Sequence, residues 1–487
     1  MYLNKLFFCF VCISMLSVRV VLAVNVGTDT TINADTTAQQ TITADNVTLT
    51  NNANINFSGD TAIQVGERSG TVIINNAGAS IKANQDVIRC MPTNNCTGPV
   101  TIHNFGLISN TTTASNGLVR LDKAAGSIIN NNKGGVIQGV GSEIDGHHAV
   151  DLFTSSTLTN RGIIIRTDDG AAGLEAETSA IGILGDDAIV ILRDDSILVG
   201  TLNNRLSKTG VELQVDHGYG RSYMYHTIGT IELSDLSGNR IVEGSATAVG
   251  MGAQETVDEL LGQRAYNLRT TLKRYASVSD PKPRMEPFVY VSHRDRGRTT
   301  LRYDNHAAGT NFIYPVVPNK VNLILTVERN KLHLDEDHDI TKNSFLIGVN
   351  TNDFMTLGEW KTSAFAAGGV TWHDSSRAVL TNTVVSGIVD VGAEYDTTEA
   401  ITGISFSHTY DQKVNESVTN KWETDLGVTL SYSYTPDYLE SRFFTWEERS
   451  LTQLSIHIGE QLNSMLGDKV QFRLGGEFEH RSVIAGK

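Results

Sequence analysis

Two alternating patterns of apolar and polar residues divide the chain, with a helical pattern between them. From Val24 to about Gly250, short runs of Val, Ile and Thr are punctuated by Asn and Gly. Asn-X-Gly returns as Asn76-Ala77-Gly78, Asn104-Phe105-Gly106, Asn132-Lys133-Gly134 and Asn160-Arg161-Gly162, a spacing of 28 each time. Val72, Ile74 and Ile81 flank the first corner, Val100, Ile102 and Ile108 the second, Ile129 and Val136 the third, and Leu158, Ile163 and Ile165 the fourth. Further short strands read as 62–65, 118–121 and 149–152. Short strands bent at regular corners predict a right-handed parallel β-helix of roughly seven or eight coils, each burying its inward Val and Ile on the next. Asn and Gly serve the corners because both accept positive φ readily, and stacked Asn side chains can pair along the axis. A β-sandwich with regular turns is the alternative the same alternation permits.

The period changes after Gly250. Val257, Leu260, Leu261, Ala265, Leu268, Leu272 and Tyr275 recur at three-to-four-residue steps and predict one amphipathic helix over 253–276. Glu255, Asp258 and Glu259 lie near its start and Arg264, Arg269, Lys273 and Arg274 toward its end, as the helix dipole favours. Asp280-Pro281-Lys282-Pro283 stops it, placing a boundary near 277–287.

Beyond Pro287 the strands alternate over greater lengths. In 421–434, Trp422, Leu426, Val428, Leu430, Tyr432 and Tyr434 share one face; Glu423, Asp425, Gly427, Thr429, Ser431 and Ser433 share the other. In 469–480, Val470, Phe472, Leu474 and Phe478 oppose Gln471, Arg473, Glu477 and Glu479. In 385–395, Val385, Val389, Val391, Ala393 and Tyr395 oppose Ser386, Asp390 and Glu394. A strand that crosses a bilayer needs about 9–11 residues, apolar outward and polar inward. With the shorter candidates, ten or eleven such strands are expected over 287–487. A soluble antiparallel sheet also alternates, but over about 5–6 residues.

Composition narrows the picture further. With 39 Lys and Arg against 54 Asp and Glu, the net charge of −15 disfavours nucleic acid as a partner, since phosphate contacts need clustered cations. Past the N-terminus no run approaches the roughly 20 apolar residues of a spanning helix. Residues 1–23 combine Lys5, an apolar stretch from Leu6 to Val18 and a small-residue site at Ala23, which reads as a signal peptide. Cys9 and Cys12 would leave with it. Cys90 and Cys96 would then close a small disulfide loop around Pro92 in an oxidising compartment.

The order of parts is therefore all-β with one helix: signal peptide 1–23, β-helix 24–250, linker helix within 251–286, and a transmembrane antiparallel barrel over 287–487. This order resembles the classical autotransporters of Gram-negative bacteria (type V secretion). The resemblance implies a twelve-stranded outer-membrane barrel, assembled with the barrel-assembly machinery, with the linker helix in its pore and the passenger displayed at the cell surface. On that basis Arg264, Arg269, Lys273 and Arg274 would face wall acids such as Asp390, Glu394, Glu423, Asp425, Glu477 or Glu479. The chain departs from the family in a strand count one or two short and in lacking a final aromatic residue, as expected of a C-terminally truncated, incomplete barrel, and in lacking an Asn pair in the linker, where Asn267 stands alone.

Enzymatic motifs are absent: there is no Gly-X-Ser-X-Gly elbow, His-Glu-X-X-His or phosphate loop. His147, His148 and His217 read as solvated turn residues. The cluster His333 to Asp339 reads as an acidic hairpin loop, with divalent-cation binding as the rival. No cofactor and no metal are expected. Two functions remain open: a non-enzymatic passenger that adheres to host cells or to like passengers, or a polysaccharide-processing β-helix using Asp168, Asp169, Glu175 and Glu177.

Overall fold

The computed structural model describes residues 23–486 except 91–95, 112–116, 141–147, 168–177, 244, 251, 277–281, 298–299, 319, 336, 416–417, 442–443 and 467–469. The expected signal peptide and the acids Asp168, Asp169, Glu175 and Glu177 lie outside the described residues. So do the side chains of Lys273 and Arg274. The chain divides into two compact units, one running up to Val249 and including Leu380–Val389, the other Gly250–Val379 with Asp390–Lys487.

The first unit is a parallel β-helix. Its strands recur in three sheets: nine in the sheet that starts at Val24–Val26, nine in the one that starts at Thr30–Ile32, and six in the one that starts at Asn54–Asn56. Successive rungs stack like residues in register. One column runs Leu49, Ile73, Ile102, Ile129, Leu158, Val190 and Leu213. A second runs Ile55, Ile81, Ile108, Ile137, Ile164 and Leu198. A third runs Ile63, Ile88, Val119, Val150, Ile181 and Leu202. All are almost fully withdrawn from water, and each fully buried aliphatic side chain contributes about 1.5–3 kcal/mol.

The inward parity differs from the sequence reading at several positions. Val72, Ile74, Val136, Ile163 and Ile165 are half-buried on the outer face, and Ile73, Ile137 and Ile164 point inward instead. The corner asparagines set this parity. Asn51, Asn75, Asn104, Asn131 and Asn160 are each 0% exposed. Each amide Nδ2 donates to the Oδ1 of the next, at 2.9, 2.8, 2.8 and 2.8 Å. The same nitrogens donate to backbone carbonyls of Ser80, Leu107, Val136, Ile163 and Ile197. Because a strand alternates its faces, an inward Asn75 forces Ile73 inward and Ile74 out.

The 28-residue spacing joins two kinds of corner. Asn104 and Asn160 belong to the buried ladder, but Asn76 and Asn132 follow its true members, Asn75 and Asn131. Half-buried Asn76 pairs instead with Asn52 at 2.6 Å. The glycines divide in the same way. Gly78 and Gly134 adopt φ of +81° and +85° in the longer corners. Gly106 and Gly162 sit where a Cβ would approach the carbonyl oxygens of Ala79 and Gly135 at 2.3 and 2.2 Å. The ladder intervals, 75 to 104, 104 to 131 and 131 to 160, are thus unequal, since alternate corners carry two extra residues.

The second unit is a curled antiparallel sheet with one helix, Gly252–Ala276. Its strands, first to ninth, are Arg284–Arg294, Tyr303–Val317, Val321–Leu334, His338–Leu357, Trp360–Thr381, Ile388–Asn415, Val418–Thr435, Arg449–Leu466 and Val470–Gly486. Among the described residues nine long strands stand where ten or eleven were expected, because 385–395 and 401–410 join into one strand and 299–304 and 311–316 into another. Among the described residues the first and ninth strands are not paired. Both run in the same direction, so antiparallel closure takes at least one further strand.

Candidate functional site: the helix-lined interior of the curled sheet

The sheet is built inside out relative to a water-soluble one. In Val321–Leu334, the side that faces away from the helix carries Leu323, Leu325 and Val327. Its other side buries Asn322, Thr326, Glu328 and Asn330. In His338–Leu357, Phe345, Ile347 and Val349 are 42%, 52% and 43% exposed while Lys342, Ser344 and Asn350 are buried. In Val418–Thr435, Leu426, Val428, Leu430 and Tyr432 face out and Asp425, Thr429 and Ser431 are buried. Burying hydroxyls, amides and charges is unfavourable unless each finds a partner. Here the helix supplies many of those partners.

The helix is buried on most of its circumference. Leu260, Leu261, Ala265, Leu268 and Leu272 are buried, and so are Thr256, Arg264, Arg269 and Thr271. Leu268 and Leu272 pack with Ile324 and Ala367, and Ala265 with Leu346 and Ile401. At Gly262 a Cβ would meet Arg481 and Gln453 side-chain atoms at 2.8 Å, so a larger residue would push the last strands away from the helix.

Polar contacts to the helix come from around the whole curl. At the N-terminal end of the helix, Arg294 donates to Glu259 at 2.7 Å and to Thr256 Oγ1 at 3.1 Å, Tyr303 Oη donates to Glu259 at 2.8 Å, and Arg449 pairs with Asp258. Mid-helix, Arg264 Nη2 donates to Glu328 Oε1 at 3.0 Å and Ser344 Oγ at 2.7 Å, while Nη1 donates to Thr371 Oγ1 at 3.0 Å and to Glu399. Four consecutive strands, third to sixth, thus converge on one guanidinium. Tyr290 Oη of the first strand also donates to Glu328, at 3.0 Å. Lys342, buried as well, lies within electrostatic range of both carboxylates, so two cations face two anions.

Lower on the helix, Arg269 pairs with Glu477 and lies 3.6 Å from Glu479 on the ninth strand. Its Nη1 donates to His457 Nδ1 at 2.7 Å. A guanidinium only donates, so His457 carries its hydrogen on Nε2, which donates to Asp425 Oδ2 at 3.1 Å. Asn311 Nδ2 donates to Thr271 Oγ1 at 3.2 Å nearer the C-terminus.

Of the acids proposed from sequence, Glu477 and Glu479 reach Arg269 directly and Asp425 reaches it through His457. Asp390 and Glu394 do not line the interior. They lie on the exposed side, and Val391 and Ala393 are buried, the reverse of the expected faces. The reason is local: there the inner side packs Tyr395 on Tyr438, with ring centroids 4.2 Å apart, and Tyr438 on Trp446. Sequence reasoning missed Glu328 and Glu399. Their signal was an acid at the wet position of an alternating strand, which the shorter 321–328 and 401–410 readings did not develop.

Elsewhere, Cys90 and Cys96 form a disulfide. His148 and His217 are buried rather than solvated. His148 opens the strand His148–Leu152 and bonds Asp151 Oδ1 at 2.6 Å, its ring lying over Gly182 of the next rung, where no side chain obstructs it. Burial pushes the Asp151 carboxyl up. His147 lies outside the described residues. In the acidic hairpin His333 bonds Asp339 at 2.5 Å, and Glu336 is outside the described residues. Among the described residues no group of three His, Cys, Asp or Glu is placed to hold a metal ion. Among them, too, no helix is long and apolar enough to cross a membrane. No protein-family profile, curated protein or solved structure matches the chain.

Proposed function

We propose that the chain is a self-exporting outer-membrane protein of the autotransporter type. Its curled sheet sits in lipid with the linker helix in its interior, and it displays a non-enzymatic β-helical passenger at the cell surface for adhesion or self-association. The observation that carries this reading is the reversed polarity of the sheet: isoleucine, valine, phenylalanine and leucine on the outer side, and a guanidinium, carboxylates and hydroxyls within. Water would favour the opposite arrangement, whereas hydrocarbon outside and a polar plug inside make it stable. In lipid the two edge strands need partners, since each unsatisfied backbone group is worth several kcal/mol; the barrel-assembly machinery is the proposed route to closure. The stacked coils of the β-helix repeat their outer positions along the axis, which suits weak contacts repeated many times.

The test is expression in a Gram-negative host with an epitope tag placed after residue 23. The expected outcome is heat- and detergent-dependent migration of a membrane-bound species, with the tag accessible to antibody on intact cells only when 284–486 is present. Protein recovered wholly from the soluble periplasmic fraction would overturn the reading.

A further inference from the structure

The β-helix unit is made of two pieces of chain. The long piece ends at Val249, and the short one is Leu380–Val389, 131 residues further on. The short piece is built into the unit as a rung would be. Leu380 is 3% exposed and belongs to the same apolar core as Leu202, Tyr223 and Ala248. Asn382 is 1% exposed and its side chain makes three bonds to backbone: Nδ2 donates to the carbonyls of Gly200 and His226 at 3.0 and 2.9 Å, and Oδ1 accepts from His226 N–H at 2.7 Å. Its own carbonyl accepts from Gly200 N–H at 2.9 Å. The segment is held in a tight turn, with Gly387 donating to Val384 and accepting from Thr381. At Gly387, φ is +71° and a Cβ would lie 2.6 Å from Ile197 Cγ2.

A strand of a parallel β-helix is satisfied by backbone donors and acceptors on its neighbours. Asn382 imitates that pattern by bridging backbone groups of two successive rungs at Gly200 and His226. We infer that Leu380–Val389 is a detachable rung of the β-helix, so that the passenger stays bound to the rest of the chain after the backbone is cut at the linker. The segment's hold on the β-helix rests on this packing and these hydrogen bonds and does not depend on the covalent connection through residues 250–252.

A protease recognition sequence inserted at 250–252, ahead of the helix, tests this on the full chain purified in detergent. After cutting, the two fragments should co-elute on size exclusion. The same insertion in Leu380→Asp/Asn382→Ala should release the β-helix fragment. Separation of the fragments in the unsubstituted protein, or co-elution unchanged by the substitutions, would overturn the inference. Should the double variant not fold, Asn382→Ala alone gives the same decision through the fragments' dissociation rate, expected to rise about tenfold or more for the loss of three hydrogen bonds. An unchanged rate would refute it. None of these readouts requires a membrane or export, so failure here is distinguishable from failure of the proposed function.

Discussion

Arg264 of the helix donates to Glu328 of the third strand at 3.0 Å, with the two side chains only 6% and 0% exposed. The carboxylate of Glu399 faces the same guanidinium. Removing Arg264 leaves two acids facing the single cation Lys342 in a place closed to water. Arg264→Met is expected to lower stability by about 3–5 kcal/mol, the usual cost of breaking a buried pair. The urea midpoint in detergent, followed by heat-modifiable migration, reads it. Arg264→Met combined with Glu399→Gln, which leaves Lys342 facing Glu328 alone, should recover much of the loss. Lys361→Met, which removes an exposed pair with Asp353, should stay within about 1 kcal/mol of the parent.

The two classes of corner asparagine separate by mutation. Asn104→Ala removes a bond given and a bond received in the buried ladder. It is expected to cost about 2–3 kcal/mol, because neighbouring amides lose partners they cannot replace with water. Asn76→Ala, at the surface, should remain within about 0.5–1 kcal/mol of the parent. The denaturant midpoint for loss of protease protection in the β-helix compares them. Equal effects would refute the division into ladder and outer positions.

Acid should loosen the far end of the β-helix through His217. Its Nδ1 lies 2.6 Å from the Asp194 carbonyl and its Nε2 2.6 Å from Tyr225 Oη, with Arg221, Asp195 and Asp235 the charged groups around it. Desolvation holds its pKa below the ordinary 6.5. The unfolded chain therefore takes up a proton at a higher pH than the folded one. Stability is full above about pH 6.5 and falls as pH drops toward the folded value. In His217→Gln this part of the slope should vanish, and subtracting the two stability curves between pH 7.5 and 5 isolates it from the carboxylates.

The disulfide between Cys90 and Cys96, six positions apart, constrains a short loop of the unfolded chain. Cys90→Ser/Cys96→Ser should lower stability by about 2 kcal/mol on the loop-entropy estimate. Reductant should produce the same shift in the parent and none in the variant.

Much of the fold was legible along the chain, and the interior site only in part. Alternation over 421–434 gave both faces of that strand correctly, because an uninterrupted period of two leaves one assignment. The same rule reversed 385–395, where aromatic stacking of Tyr395 and Tyr438 recruits the inner side and turns Asp390 and Glu394 outward. Arg264 and Arg269 were visible as cations on a helix between β regions. Their acids were not, since which of many carboxylates meets a given guanidinium depends on stagger between strands.

The sequence by itself determined the periods: short corners with Asn and Gly, one helical stretch, then long strands with an apolar and a polar face. These are local properties, fixed by φ preferences and by which residues tolerate water. Tertiary structure alone decided that Asn75 rather than Asn76 enters the ladder, that Glu328 and Glu399 share Arg264, and that Asn382, in a piece of chain that begins 131 residues beyond Val249, bonds the backbone of the β-helix at Gly200. Each of these is a pairing between distant segments, and a pairing is settled by register and by the need to satisfy every buried donor and acceptor, which no single stretch of sequence contains.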